Sequence, residues 1–374
     1  MTALDQQPTL DQQPTLDQPQ TTAPAEELTG RFFLAALGAA ELFTTYLGLT
    51  HGIYRALDSA GAATATELAS ATGVELRYLT EWLQAQALSG LLSIDGTDVA
   101  TASFALAPGV REALIEETSP FYVGGMAGIP VAMGRAFPLL EAAFKTGAGV
   151  PYSAYGPEAV AAQEQLNRPA YANSLVPEWL PALPDVQARL GAGARVADVG
   201  TGAGWSAIEL AKAYPGVTVD GYDNDADSIA RARRNAEEHG VGDRVHFHEL
   251  DIAAVADGET RYDLITFFEC LHDLPHPVAA LRAARNALAP GGTVLVMDEN
   301  ADEQLQAPGD EVQRFLAAAS VVWCTPQGRM DPDSEVVGAI MRPAKMRELA
   351  AEAGFAGADV VPIEHPFWRF YRLA

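Results

Sequence analysis

The stretch Val196-Ala-Asp-Val-Gly-Thr-Gly-Ala-Gly-Trp205 constrains this chain more than any other: an apolar strand runs into glycines at 200, 202 and 204, then into the helical pattern Ser206–Lys212. Glycines at such a turn allow backbone angles that side chains penalise and let the chain approach a ligand closely. Strand, glycine turn and helix together read as the opening βα unit of a nucleotide-binding α/β fold. A dinucleotide fingerprint would place its third glycine three residues after the second, but position 205 is Trp. That spacing disfavours NAD and FAD.

Further strand patterns follow in an order that gives the turn a context. Val217-Thr-Val-Asp-Gly-Tyr-Asp223 ends in a carboxylate 19 residues past Gly204. An acid at such a strand terminus can accept hydrogen bonds from both hydroxyls of a ribose. A helical stretch from Asp225 to His239, closed by Gly240, leads to Val245-His-Phe-His-Glu-Leu-Asp251-Ile252. Tyr262–Phe268 and Gly292–Met297 are further strands, the latter preceded by Ala289-Pro-Gly-Gly292. Near the end, Ala358–Ile363 and Phe367–Leu373 lie close enough in sequence to pair antiparallel. Alternating strands and helices argue for a mostly parallel sheet with helices on both faces. Ligands bind such sheets beyond the carboxyl ends of the strands. There, after Phe268, the chain reads Glu269-Cys-Leu-His-Asp-Leu-Pro-His-Pro277.

These landmarks, from the glycine turn to the His-Asp pair, resemble those of class I S-adenosylmethionine-dependent methyltransferases. The nearest likeness is to small-molecule O-methyltransferases with an N-terminal winged-helix dimerisation domain, and it covers residues from about 30 to 374. The resemblance implies an α/β fold: a seven-stranded, mostly parallel Rossmann-like sheet with a reversed last strand, behind an α-helical and winged-helix domain. It implies S-adenosylmethionine as cofactor, held by Asp198, Gly200, Gly202, Gly204, Asp223, Asn224, Asp251, Ile252 and Phe268, with Asp251 on the adenine amine and Ile252 against its ring. His272 would take the proton from a substrate hydroxyl, with Asp273 and His276 as orienting or helix-capping groups. An imidazole with an ordinary pKa near ~6.5 suits that task, and such bases contribute roughly 100- to 10,000-fold. The family often has Trp after His-Asp where this chain has Leu274-Pro275, and the carboxylate that orients the base aligns with Asp298 rather than a Glu. Glu335 is a candidate second orienting acid. These departures keep carbon or nitrogen methylation of a small metabolite open beside O-methylation.

Composition bounds the rest. The 374 residues are 48% hydrophobic and 20% charged, enough for two globular cores. A formal charge of −25, with only three lysines, repels phosphate backbones and anionic lipid, so neither nucleic acid nor membrane is an expected partner. Two cysteines, Cys270 and Cys324, form no disulfide framework, and a reducing cytoplasm fits. Residues 1–25 repeat Leu-Asp-Gln-Gln-Pro-Thr and read as a disordered tail without the features of a signal peptide. No apolar run reaches the ~18 uninterrupted residues of a spanning helix.

The expected division is a helical and winged-helix dimerisation domain over 26–118, a helical cap over 119–190 and the cofactor-binding domain over 191–374. The first helix, with Phe32, Phe33, Leu37, Phe43 and Leu47, is apolar on most sides and must meet core or a second subunit. Residues 64–88 read as helix, glycine turn, helix, followed by a hairpin wing, which admits a transcriptional regulator as a rival reading. Against it, Arg77 is the only basic residue between Glu75 and Ser89. In the cap, Tyr152, Tyr155, Asn167, Arg168, Tyr171 and Trp179 are pocket candidates. No metal is expected: His246 and His248 share a strand face but lack a third ligand.

Overall fold

A computed structural model describes residues 24–251 and 260–373. The chain divides into two compact units, residues up to Ala40 and from Glu41 onward. Helix α1 (Ala25–Thr50) supplies the described part of the first unit; Glu26 and Glu27 in its first turn complement the positive end of the helix dipole. At 26 residues, α1 is long and apolar enough to cross a membrane by length and composition alone. The sequence criterion of an uninterrupted apolar run missed it because Arg31 and Glu41 interrupt the pattern.

The second unit opens with a winged helix. Helices α2 (Ile53–Ala60), α3 (Ala65–Thr72) and α4 (Leu76–Leu88) pack on a small sheet of β1 (Ala63–Thr64), β2 (Leu92–Asp95) and β3 (Ser103–Leu106), in the order β1-β3-β2. Thr64 caps α3 in a reciprocal box with Glu67, and Gly73 ends it in the left-handed conformation that favours glycine. Leu57, Leu68, Leu79, Leu83 and Phe104 are buried in its core. Gly48 is required on α1 because a Cβ there would lie 2.4 Å from the Trp82 ring. The Trp82 indole N–H donates to the Thr44 carbonyl at 2.7 Å, which docks the C-terminal end of α1 onto α4.

After α5 (Val110–Leu114), a helical cap follows. In it α6 (Gly125–Thr146) crosses α7 (Pro157–Ala170) closely where Gly125 and Gly128 face Ala162. Beyond α7 the chain widens into a π-helical turn, Tyr171–Trp179, before α8 (Pro184–Ala192).

The large sheet has seven strands: β4 (Arg195–Val199), β5 (Thr218–Asp223), β6 (Val245–Glu249), β7 (Tyr262–Phe268), β8 (Leu288–Glu299), β9 (Ala358–Val360) and β10 (Trp368–Leu373), ordered β6-β5-β4-β7-β8-β10-β9. β4 through β8 run parallel, and β10 is antiparallel to both β8 and β9. The expected reversed last strand is therefore present. The Pro-Gly-Gly segment is not a separate turn but an irregularity inside β8, with a register shift against β7 at Tyr262/Leu264. Strands buried on both faces explain the near-continuous apolar runs, since one core packs against each side of the sheet. α9 (Trp205–Ala213), α10 (Ala226–Glu238), α11 (Pro277–Ala287) and α14 (Pro343–Ala353) cover those faces. α12 (Glu311–Ala319), a second π-helical turn Ser320–Cys324 and α13 (Thr325–Gly328) pack near the cap.

Candidate active site

The glycine turn caps the carboxyl end of β4, and its glycines stand at φ 66° (Gly200), 52° (Gly202) and 82° (Gly204). Two of them are also dictated by packing: a Cβ on Gly200 would lie 2.5 Å from that of Cys270, and one on Gly204 2.4 Å from the Phe247 ring. Gly202 differs, having nothing within 4 Å of a Cβ. That open side is where a ligand can lie against bare backbone.

Asp198 sits beneath the turn, fully buried, and accepts from three hydroxyls: Thr201 and Ser206 at 2.7 and 2.5 Å, and Thr266 at 2.6 Å. Burial raises its pKa while these bonds oppose the rise. With its oxygens so occupied, it holds the loop in shape from below.

Asp223 ends β5 and accepts from the backbone N–H of Gly202 at 2.9 Å and of Asp225 at 2.9 Å. Burial pushes its carboxyl up to about 6 despite those two bonds. A half-buried carboxylate beside an open glycine backbone fits the arrival of a ligand bearing two hydroxyl donors, as a ribose does. Asn224 and Asp251 are exposed just past β5 and β6 on the same end of the sheet, and Ile252 lies outside the described residues. Phe268 is drawn into an aromatic stack, 5.9 Å from Tyr171 and 6.4 Å from Trp179 between ring centres.

His272 lies in a tight turn, Leu271–Asp273, just beyond β7, and is 2% exposed. Its Nδ1 is 2.8 Å from Oδ1 of Asp298, which also accepts from the Glu299 N–H at 2.9 Å. Its Nε2 is 3.4 Å from Oδ1 of Asp273. Burial opposes charge on the imidazole, but Asp298 and Asp273 outweigh it and hold its pKa well above the ordinary value. The three residues expected to share a site are thus together. Asp273, not Glu335, is the second acid at the histidine; the Glu335 side chain is exposed, and its backbone N–H bonds Pro275. His276 makes no capping bond to α11 and instead meets Asp331 at 3.1 Å.

His272 and Asp273 line a cavity of about 350 Å³ between the cap and the sheet, with Tyr122, Met126, Asn167, Trp323 and Trp368 among its walls and neither Lys nor Arg among the described lining residues. A groove of about 440 Å³ beside α6, lined by Phe144, Val321 and Arg329, lies apart from this chemistry. Of the cap candidates only Asn167 reaches the cavity. Arg168 instead stacks 3.9 Å from the Trp205 ring centre, and Tyr155 packs on Trp323.

Sequence reasoning missed Glu269 and Cys324. Glu269 is the only non-glycine among the described residues with positive φ, at 53°, and its carboxylate accepts from the Trp368 indole N–H. Burial raises its pKa, and that of Glu299 well above normal. A strained residue at a strand end marks a functional position. Cys324 brings its thiol to His272 and Asp273, the three ligand atoms lying within 4.8 Å of one another.

Two family profiles match the chain: one described as "Methyltransferase domain" over residues 190–354, and one as "Rv2258c-like winged HTH domain" over 39–110. The ubiquinone biosynthesis O-methyltransferase of Nitrosospira multiformis is 28% identical over 191 residues, 50% of this chain and 74% of that protein. An uncharacterized protein of Synechococcus is 36% identical over 98 residues, 26% of this chain; the chain spans only 24% of its length. The crystal structure of human N-acetylserotonin methyltransferase with S-adenosylmethionine superposes with a TM-score of 0.67 at 17% identity, covering 95% of this chain and 99% of that one. In this chain a methyltransferase domain of the S-adenosylmethionine-dependent kind follows an N-terminal winged-helix domain.

Proposed function

We propose that this methyltransferase acts on a hydroxyl of a small organic acceptor bound in the 350 Å³ cavity, with His272 as the general base. The observation that carries the reading is a buried imidazole tied through Nδ1 to Asp298 at 2.8 Å while lining the cavity. That bond fixes the ring, and in its neutral form Nε2 can take the acceptor's proton, the resulting imidazolium being stabilised by Asp298 and Asp273. S-adenosylmethionine supplies a methyl group already activated on a sulfonium, which leaves as a thioether when the acceptor oxygen bonds to the carbon. The protein's task is then alignment and proton removal. Gly202 and Asp223 hold the cofactor's ribose side, Asn224, Asp251 and Ile252 its adenine side, and Gly200, Gly204, Asp198 and Phe268 shape the loop and floor. Asp298 and Asp273 position the base.

The Nitrosospira multiformis relative, named as an O-methyltransferase, supports oxygen as the acceptor atom. Cavity acids without a balancing Lys or Arg in the lining also favour an amine acceptor as the alternative, since they attract its ammonium form, which must lose a proton before the nitrogen attacks. The proposed division remains winged helix over 26–118, cap over 119–190 and catalytic domain over 191–374. Phe43 and Leu47 on α1, 46% and 48% exposed, support a homodimer formed through this helix. A cytoplasmic protein is the companion reading, favoured by the docking of Thr44 and Gly48 on Trp82. Arg77 is paired with Glu81 on the would-be recognition helix, which weighs against DNA binding.

The test is His272→Gln assayed for S-adenosylhomocysteine release with a panel of phenols and amines. Unimpaired cofactor binding with turnover reduced at least ~100-fold supports the base. Wild-type turnover in the variant rejects it.

A further inference from the structure

We propose that His272, Asp273 and Cys324 form a binding site for a zinc-class divalent ion at the wall of the acceptor cavity. Their ligand atoms, an imidazole nitrogen, a carboxylate oxygen and a thiol sulfur, all lie within 4.8 Å of one another. The Nε2-to-Oδ1 distance of 3.4 Å matches the edge of a tetrahedron whose metal–ligand bonds are about 2.0–2.2 Å long. Contraction by the sulfur toward a bond of about 2.3 Å would complete three corners.

Three further features point to an ion rather than to three residues that happen to meet. Oδ1 of Asp273 is buried without a well-formed hydrogen bond, facing Nε2 of His272 at a long 3.4 Å. The remaining ring nitrogen of His272 is bonded to Asp298, the carboxylate–histidine arrangement that fixes ligating imidazoles. Each of the three residues lines the cavity, so the fourth corner opens onto space where water or an acceptor oxygen can bind.

The donor set selects the ion. Thiolate with imidazole favours zinc, cobalt or copper over magnesium and calcium, which want oxygen ligands. Binding displaces the thiol proton, and the ion then meets one thiolate and one carboxylate with further acids at Glu269 and Glu299 nearby. Among the described residues the cavity wall has no Lys or Arg to repel it.

One consequence rests on the general-base reading above: an ion on Nε2 occupies the lone pair that would receive the acceptor's proton. Zinc therefore inhibits methyl transfer, and a chelator restores it.

The experiment uses the full chain, untagged and chelator-stripped, titrated with cobalt(II) without added thiols. Expected are one bound equivalent, a sulfur-to-cobalt charge-transfer band in the near ultraviolet, its loss in Cys324→Ser, and its displacement by zinc. Asp298→Asn should weaken zinc about 10- to 100-fold in competition with a chromogenic chelator. Cys270 provides the internal control, because a band surviving in Cys324→Ser would come from elsewhere and overturn the site. Absence of zinc binding to the wild-type chain overturns it without recourse to any variant. If zinc binds with these signatures but turnover is unaffected, the metal site stands and the base reading at His272 falls.

Discussion

The indole N–H of Trp205 donates to Oε1 of Glu164 at 2.8 Å, tying the residue that follows the glycine turn to the cap helix α7. Asn235 of α10 donates to the same oxygen at 3.0 Å, and Arg168 covers the other side of the ring. The helix that carries the cofactor loop is therefore fastened to the cap that walls the acceptor cavity.

Trp205→Phe tests this fastening. It removes one buried donor and should cost about 1–3 kcal/mol in urea unfolding. The acceptor KM should rise more than the cofactor Kd, because α7 also carries Asn167 on the cavity wall. An equal change in both would show a merely structural contact.

The two glycines at 200 and 202 should separate folding from binding. Gly202→Ala meets no neighbour and carries only the left-handed backbone penalty, about 1–2 kcal/mol, yet it covers the open cofactor face. It should fold and lose S-adenosylhomocysteine affinity in calorimetry. Gly200→Ala drives a methyl into Cys270 and should reduce the yield of folded protein itself.

Asp223 predicts a pH dependence of defined sign. Its carboxyl, raised to about 6 by burial, is partly protonated in the free protein at mildly acid pH. Ribose hydroxyls donate to the ionised form, so binding releases protons and affinity falls as pH drops through about 6. Calorimetry in buffers of different ionisation heat measures the release. Asp223→Asn should flatten the profile and weaken binding throughout. In the absence of cofactor the sign for stability is opposite: between the unfolded value near 4 and the folded value of about 6, this group makes the protein less stable as pH rises.

The α1 reading is tested by charge. Phe43→Glu with Leu47→Glu should convert the proposed dimer to a monomer in sedimentation while the melting temperature of the winged-helix core changes little, since both side chains are exposed. An unchanged monomer in wild type would place the apolar face elsewhere in the protein's biology.

What could be read beforehand was whatever depends on short-range order. Glycine spacing, the acid at the end of β5 and the His-Asp pair past β7 are each set within a few residues, because a strand end and the turn beyond it are local structures. Asp298 was reached only through the family resemblance, which aligns the orienting carboxylate with the end of the fifth strand. Cys324 could not be found that way: it reaches His272 from a π-helical turn that no simple periodicity announces. Glu269 was passed over because a left-handed glutamate has no sequence signal. Tyr171 and Trp179 were aromatic enough to suggest a pocket, but the stack with Phe268 that absorbs them is a tertiary fact. His276 looked like a cap, and its partner Asp331 comes from a distant loop.

The three hydroxyls gathered on Asp198 bear on kinetics. A loop already locked by Thr201, Ser206 and Thr266 before any cofactor arrives has little conformational freedom left to surrender. Encounter with the cofactor then involves no slow ordering step at this loop. What remains there is electrostatic and confined to mildly acid pH: the protonated fraction of Asp223 must ionise as the ribose arrives, and it is restored as product departs.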